Sequence, residues 1–162
     1  MDSRFPELDS LYREVVLDHY RCPRGKKVIV DPDVENLGLN PVCGDECRVA
    51  LKMKDGRILD AAILSRGCAI SVASGSILAE LLIGKSPEEV DRLLQAFRVI
   101  LHGGKPPPDL DLGDLDALSG VKELPVRVKC ALLAWTTLSD ALKRPGKEGG
   151  QPPSPSSTEH QE

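Results

Sequence analysis

Five cysteines, Cys22, Cys43, Cys47, Cys68 and Cys130, are the residues best able to do chemistry in this 162-residue chain. Cys68 lies in Gly67-Cys68-Ala69, between a strand-like run and a helix-like run. There the positive end of the helix dipole and the free N–H groups favour thiolate over thiol. Cys130 falls early in another helix-like segment with Arg127 and Lys129 beside it, cations that lower a thiol pKa. Cys43 belongs to Asn40-Pro41-Val42-Cys43-Gly44-Asp45-Glu46-Cys47, which also offers a carboxylate. Cys43, Asp45, Cys68 and Cys130 together supply donors for a tetrahedral divalent ion, with zinc the default for such a set. The competing reading is three unrelated cysteines in an aliphatic core, a common fate of free thiols. The spacings match neither a zinc finger nor a C-x-x-C redox pair. Cys22 has no ligand-type neighbour except His19, itself read as a packed or capping residue, and is left without a role.

The elements that must position these groups are legible in outline. Asp55-Gly56 is a type I′ hairpin signal between an alternating run ending at Lys54 and a second run starting at Arg57. A regular ladder from that turn pairs Met53 with Ile58, Val49 with Ala62 and Cys47 with Leu64. Continued outward, it sets Asp45 opposite Arg66 and Cys43 opposite Cys68, unless Gly44 introduces a bulge. Cys47 lies further in on the same face, where packing is its expected role. A helix is expected from about Ser71 to Ile83, stopped at Gly84. Ser86-Pro87-Glu88-Glu89 starts another, whose buried stripe is Val90, Leu93, Leu94, Phe97 and Leu101. The last helix opens at Pro125 and carries Cys130. A first helix spans Ser10–Tyr20, and Val28-Ile29-Val30 in the extended segment behind it is a candidate edge strand. The stretch from Lys105 to Ser119 is irregular, with a helical turn near Asp114–Leu118 and its acids forming a solvated face.

Composition narrows the function. Hydrophobic residues make up 41% but aromatics only 3%, so the core must be aliphatic. A formal charge of −4 without a long basic run argues against nucleic acid as a partner. No apolar run is long enough for a bilayer and the N-terminal residues lack a signal-peptide pattern, so a cytoplasmic protein with no membrane partner is expected. In that reducing compartment five cysteines point to metal or sulfur chemistry before disulfides. The organisation expected is one domain over 1–143 and a disordered tail over 144–162, by composition.

Four blocks carry a family resemblance: LYREVVLDHYRCPR from Leu11, NPVCGD from Asn40, GCAISVAS from Gly67 and RVKCALLAW from Arg127. With them the chain resembles the U-type iron-sulfur cluster assembly proteins, IscU-like scaffolds and SufU proteins. The resemblance implies an α+β fold, a small antiparallel sheet packed against several helices. It implies a metal site at Cys43, Asp45, Cys68 and Cys130, and leaves Cys22 and Cys47 outside it. Lys129, where IscU-type scaffolds have a His, and an insertion from about Gly104 to Val121 favour the SufU-like subgroup.

The function expected is that of a zinc-dependent sulfur acceptor, a sulfurtransferase fed persulfide sulfur by a PLP-dependent cysteine desulfurase and serving downstream iron-sulfur assembly proteins. One alternative is a scaffold on which iron and sulfide form a [2Fe-2S] cluster at the same ligands. Another is a zinc-stapled interaction module without sulfur chemistry. The resemblance points to Cys43 as the acceptor, and its place on a Gly-flanked loop agrees. Arg127 and Lys129 argue for Cys130 instead.

Overall fold

The architecture comes from a computed structural model that describes residues 6–143 and 156–157, with side chains described from 13 to 143. In chain order it contains α1 (Pro6–Arg21), β1 (Val34–Asn40), β2 (Asp45–Lys54), β3 (Arg57–Arg66), α2 (Ala69–Leu82) and α3 (Pro87–Leu101). A 3₁₀ helix (Gly113–Glu123), α4 (Pro125–Leu142) and the two-residue β4 (Ser156–Ser157) follow. The fold is α+β, as expected. The sheet order is β3-β2-β1-β4, with β1, β2 and β3 antiparallel. β4 runs parallel to β1, with Ser156 beside Gly38 and Ser157 beside Leu39. The rest of the tail expected to be disordered lies outside the described residues.

The β2–β3 hairpin forms where Asp55 and Gly56 both take positive φ, 54° and 76°, as a type I′ turn requires. The expected pairs Lys54–Arg57 and Met53–Ile58 are present. Beyond them the regular ladder fails. Leu59 is an extra residue, so Lys52 pairs with Asp60, Val49 with Ile63 and Cys47 with Ser65. The bulge therefore sits near the turn, not at Gly44, and shifts every later partner by one. A half-buried hairpin can absorb it because Leu59 points out to solvent while Ile58 stays in the core.

β1 also departs from expectation. Val28 and Val30 are 82% and 84% exposed and form no strand; the strand begins at Val34. Its inward positions Asn36, Gly38 and Asn40 are not hydrophobic, so apolar alternation does not reveal it. They are small or polar because α4 lies directly on them. A side chain at position 38 would run into Thr137, and Asn36 Nδ2 donates to the Thr137 carbonyl at 3.0 Å.

α2 packs on β3 and α4 on β1, side by side on one face of the sheet. Small residues on α2 (Ala73, Ser74, Gly75) and on α4 (Ala131, Ala134) let the two helices approach, and Ser74 Oγ ties them by donating to the Ala131 carbonyl at 2.6 Å. Trp135 of α4 donates Nε1–H to Ser74 Oγ at 3.1 Å and stacks obliquely on Phe97 of α3, with ring centroids 5.0 Å apart. α3 starts with the predicted capping box: Ser86 Oγ accepts from Glu89 N, and Glu89 Oε1 from Ser86 N.

The insertion is anchored rather than loose. Leu115, Leu118 and Val121 of the 3₁₀ helix are fully buried. His19 of α1, also fully buried, contacts Ser76 Oγ at 2.6 Å through Nδ1 and Asp114 Oδ2 at 2.8 Å through Nε2. Asp114, exposed as expected of that face, also ties the 3₁₀ helix to α1. Among the described residues no helix is long and apolar enough to cross a membrane.

Candidate metal centre

Four separate elements deliver the candidate donors to the same end of the sheet. Cys43 sits in the turn Pro41–Gly44 that joins β1 to β2. The turn is closed by Asn40, whose carbonyl accepts from Gly44 N at 2.7 Å and whose Oδ1 accepts from Val42 N at 3.1 Å. Asp45 is the first residue of β2, 3% exposed. Cys68 is the N-cap of α2, where its sulfur accepts from Ser71 N at 3.5 Å. Cys130 lies in the second turn of α4 and is fully buried, whereas Cys43 and Cys68 are half-buried.

The convergence is closer than the sequence required. Cys43 Sγ lies 3.3 Å from Cys130 Sγ, and Cys68 Sγ lies 3.3 Å from Asp45 Oδ2. Ligand atoms of Cys43, Asp45 and Cys130 all fall within 4.8 Å of one another. A four-coordinate zinc with Zn–S of about 2.3 Å and Zn–O of about 2.0 Å sets its donors roughly 3.5–3.8 Å apart. The two 3.3 Å pairs would open by a few tenths of an ångström. Cys68, which touches Asp45 but lies outside the three-donor group, would draw in to complete a tetrahedral set. The donor chemistry fits a metal of that kind.

The register shift explains how Asp45 gets there. With Glu46 paired to Arg66, the strand end brings Asp45 to Gly67 rather than to Arg66. Gly67 has φ 147°, a conformation open to glycine, and a Cβ there would fall on the Asp45 carboxylate. The missing side chain is the space the carboxylate occupies. Asp45 Oδ1 then accepts from Cys68 N at 3.2 Å, and Oδ2 takes the Ser71 hydroxyl at 2.6 Å. Burial works against the charge, but hydrogen bonds from Ser71, Cys130, Cys68 and Cys43 outweigh it and hold the carboxyl below its usual range.

The thiols are not equivalent. A hydrogen bond from Cys130, aided by the Ser71 N–H and opposed by burial and by Asp45, brings Cys68 down to about 6. The first cause of this lowering is Cys130, not the helix N-terminus. The lowering expected at Cys130 is reversed. Its hydrogen bond to Cys68 comes first, then burial and Cys43, and all push its pKa up. Arg127 does stand here: contact with Cys130 and the charge of Cys68 hold its guanidinium more firmly protonated. The arginine is exposed and Lys129 half-buried. Cys47 is isolated in the core, where burial lifts it to about 12, and Cys22 is exposed.

Two residues of this centre escaped the sequence reading. Ser71 reads as an ordinary helix-start residue, yet its hydroxyl lies between Asp45 Oδ2 and the Cys130 carbonyl, 3.1 Å from the latter. Asn40 carried a signal, an Asn before Pro at a turn. It is 1% exposed, and its buried Nδ2 has no hydrogen-bond partner among the described residues.

Comparison with known proteins gives a consistent picture. Residues 11–147 match the family model of the NifU-like N terminal domain. The chain is 38% identical over 143 residues to the zinc-dependent sulfurtransferase SufU of Bacillus subtilis (strain 168), covering 88% of this chain and 95% of that protein. It is 37% identical over 138 residues to the iron-sulfur cluster assembly scaffold protein IscU of Streptococcus pyogenes serotype M1, covering 85% and 86%. A crystal structure described as that of an iron-sulfur cluster assembly scaffold protein for the SUF system, from Fervidobacterium islandicum AW-1, matches with a TM-score of 0.77 at 31% identity. That match covers 83% of this chain and 98% of the other.

Proposed function

Because the chain belongs to the NifU-like N-terminal domain family, we propose that it serves iron-sulfur cluster assembly as a zinc-dependent sulfur acceptor. It takes sulfane sulfur from a PLP-dependent cysteine desulfurase and passes it to downstream assembly proteins. One observation carries this reading. Cys43, Asp45 and Cys130 converge from three elements, Cys68 touches Asp45 from a fourth, and Cys43 sits half-exposed on a turn. The working unit is the domain over 1–143, with 144–162 as its tail. Its free thiols suit the cytoplasm.

Cys43, Asp45, Cys68 and Cys130 would hold the metal. Zinc supplies a charge that keeps thiols deprotonated at neutral pH without redox activity toward a persulfide. The chain's own residues do the rest. Cys43 is the acceptor, because Cys130 is fully buried in a helix and Cys68 is held by its cap bond to Ser71. The Cys43 thiolate attacks the terminal sulfur of the donor's persulfide. A new S–S bond forms to Cys43, the donor's S–S bond breaks, and the donor cysteine leaves as a thiolate. No net oxidation occurs, and the transferred sulfur gives its proton to solvent as the new bond forms. Ser71 and Cys68 N–H hold Asp45 in its charged form throughout. Arg127, with Lys129 nearby on α4, places positive charge where the transferred sulfur and the departing thiolate become anionic.

Mass spectrometry after incubation with a cysteine desulfurase and cysteine tests this. One added sulfur is expected on wild type and on Arg127→Lys, and none on Cys43→Ser. An added sulfur that survives in Cys43→Ser but vanishes in Cys130→Ser moves the acceptor role to Cys130. The IscU relative favours a second reading, with iron and sulfide as cargo at the same ligands. A stable, visible-absorbing [2Fe-2S] product after anaerobic reconstitution would support it.

A further inference from the structure

Asn40 does more at the centre than close a turn. Its Cα partner across the β1–β2 pair is Asp45, and two residues separate it from Cys43. Its carbonyl and Oδ1 are both used to hold the turn Pro41–Gly44, by Gly44 N and Val42 N. That leaves Nδ2–H, a donor in a side chain 1% exposed, with no acceptor among the described residues. Flipping the amide offers no escape, because Oδ1 is needed by Val42 N. Any turn-closing residue with an acceptor, such as Asp or Ser, would serve the turn equally well without an idle donor. A buried unpaired donor calls for an explanation, and a part in the chemistry is one.

We propose that Asn40 is a positioning residue for the transferred sulfur, its Nδ2–H donating to the terminal sulfur of the persulfide formed on Cys43. The inference rests on the sulfur-transfer reading above. The Cys43 thiolate displaces the donor cysteine from its terminal sulfur. The transferred sulfur gives its proton to solvent as its bond to Cys43 Sγ forms, so negative charge develops on it in the transition state and stays on the terminal sulfur of the product. This atom is the only new acceptor the reaction creates at the turn, and it is charged. A donor already fixed by Oδ1 meets it without reorganisation, and the bond is charge-assisted.

Three variants separate positioning from turn closure, with a desulfurase and cysteine as the sulfur source. Asn40→Asp keeps the acceptor for Val42 N–H and removes the donor; Asn40→Leu removes both at similar volume. Asn40→Asp is expected to keep the wild-type fold and zinc content. Its kcat for persulfide formation on Cys43 should fall about 10- to 100-fold with KM unchanged, the worth of one charge-assisted bond. Asn40→Leu should lose the same rate and melt at lower temperature as well. In ¹⁵N-labelled wild type, the Asn40 side-chain amide protons should move downfield when the persulfide forms. An Asn40→Asp rate within twofold of wild type, or an Asn40 amide signal unmoved by persulfidation, overturns the proposal and leaves only the turn. If Asn40→Asp does not fold, Asn40→Ser, which retains a hydroxyl donor, is compared with Asn40→Ala. Ser is then expected to be faster, and equal rates refute the inference. Wild type that gains no sulfur at all refutes the sulfur-transfer reading itself, and this inference with it.

Discussion

Gly67→Ala probes the contact on which the candidate centre depends. At φ 147° the backbone is in a region that non-glycine residues enter at a cost of about 1–3 kcal/mol. The added Cβ would also fall on the carboxylate of Asp45, and lie 2.9 Å from its Cβ. Asp45 cannot retreat without losing the Ser71 hydroxyl at 2.6 Å and the Cys68 N–H at 3.2 Å. Bonds to a charged acceptor are worth about 1.5–3 kcal/mol on balance. The two effects sum to roughly 3–6 kcal/mol. At about 3–4 °C per kcal/mol for a domain of this size, the melting temperature should drop by roughly 10–20 °C. Zinc affinity should fall by at least about 10- to 100-fold, since the carboxylate is pushed from its place among the thiols. Thermal unfolding followed by circular dichroism gives the first number, and competition with a chromogenic zinc chelator gives the second. A Gly67→Ala protein within about 0.5 kcal/mol of wild type, the size of an ordinary surface change, would refute the reasoning. So would unaltered zinc affinity in a folded Gly67→Ala protein.

Protein purified without added metal should carry about one zinc per chain, and a chelator should lower its melting temperature in a manner reversed by zinc in proportion to its concentration. Metal-free protein that melts identically with and without zinc would exclude the site. Cys47, held near 12 by burial, stays a thiol from pH 7 to about 9. Native-state alkylation should therefore label exposed Cys22 and reach Cys47 only after unfolding, and labelling both at one rate would contradict the fold. His19→Ala empties a fully buried position and removes the contacts to Asp114 and Ser76 that tie α1 to α2 and to the 3₁₀ helix. It should cost about 2–4 kcal/mol and speed amide exchange across Gly113–Glu123, which native-state hydrogen exchange would report.

By itself the sequence determined what depends on neighbours a few residues apart. Asp55-Gly56 makes its turn because both residues tolerate positive φ, and Ser86 to Glu89 cap α3 through bonds that span one turn of chain. The same short range accounts for Cys68 at the start of α2 and Cys130 early in α4. It also lets the family resemblance name the donor set, since each cysteine block is local. The tertiary structure decided what depends on segments far apart. Which residue pairs with which along β2–β3 turned on one extra residue, Leu59, that no local pattern marks, and this sent Asp45 to Gly67. β1 was hidden because its inward residues answer to α4, 101 positions away in the case of Asn36 and Thr137. The ionisation of the thiols followed the same rule. Arg127 and Lys129 flank Cys130 in sequence, but the hydrogen bond to Cys68 controls its proton, because a contact in a buried site outweighs the field of cations that solvent screens.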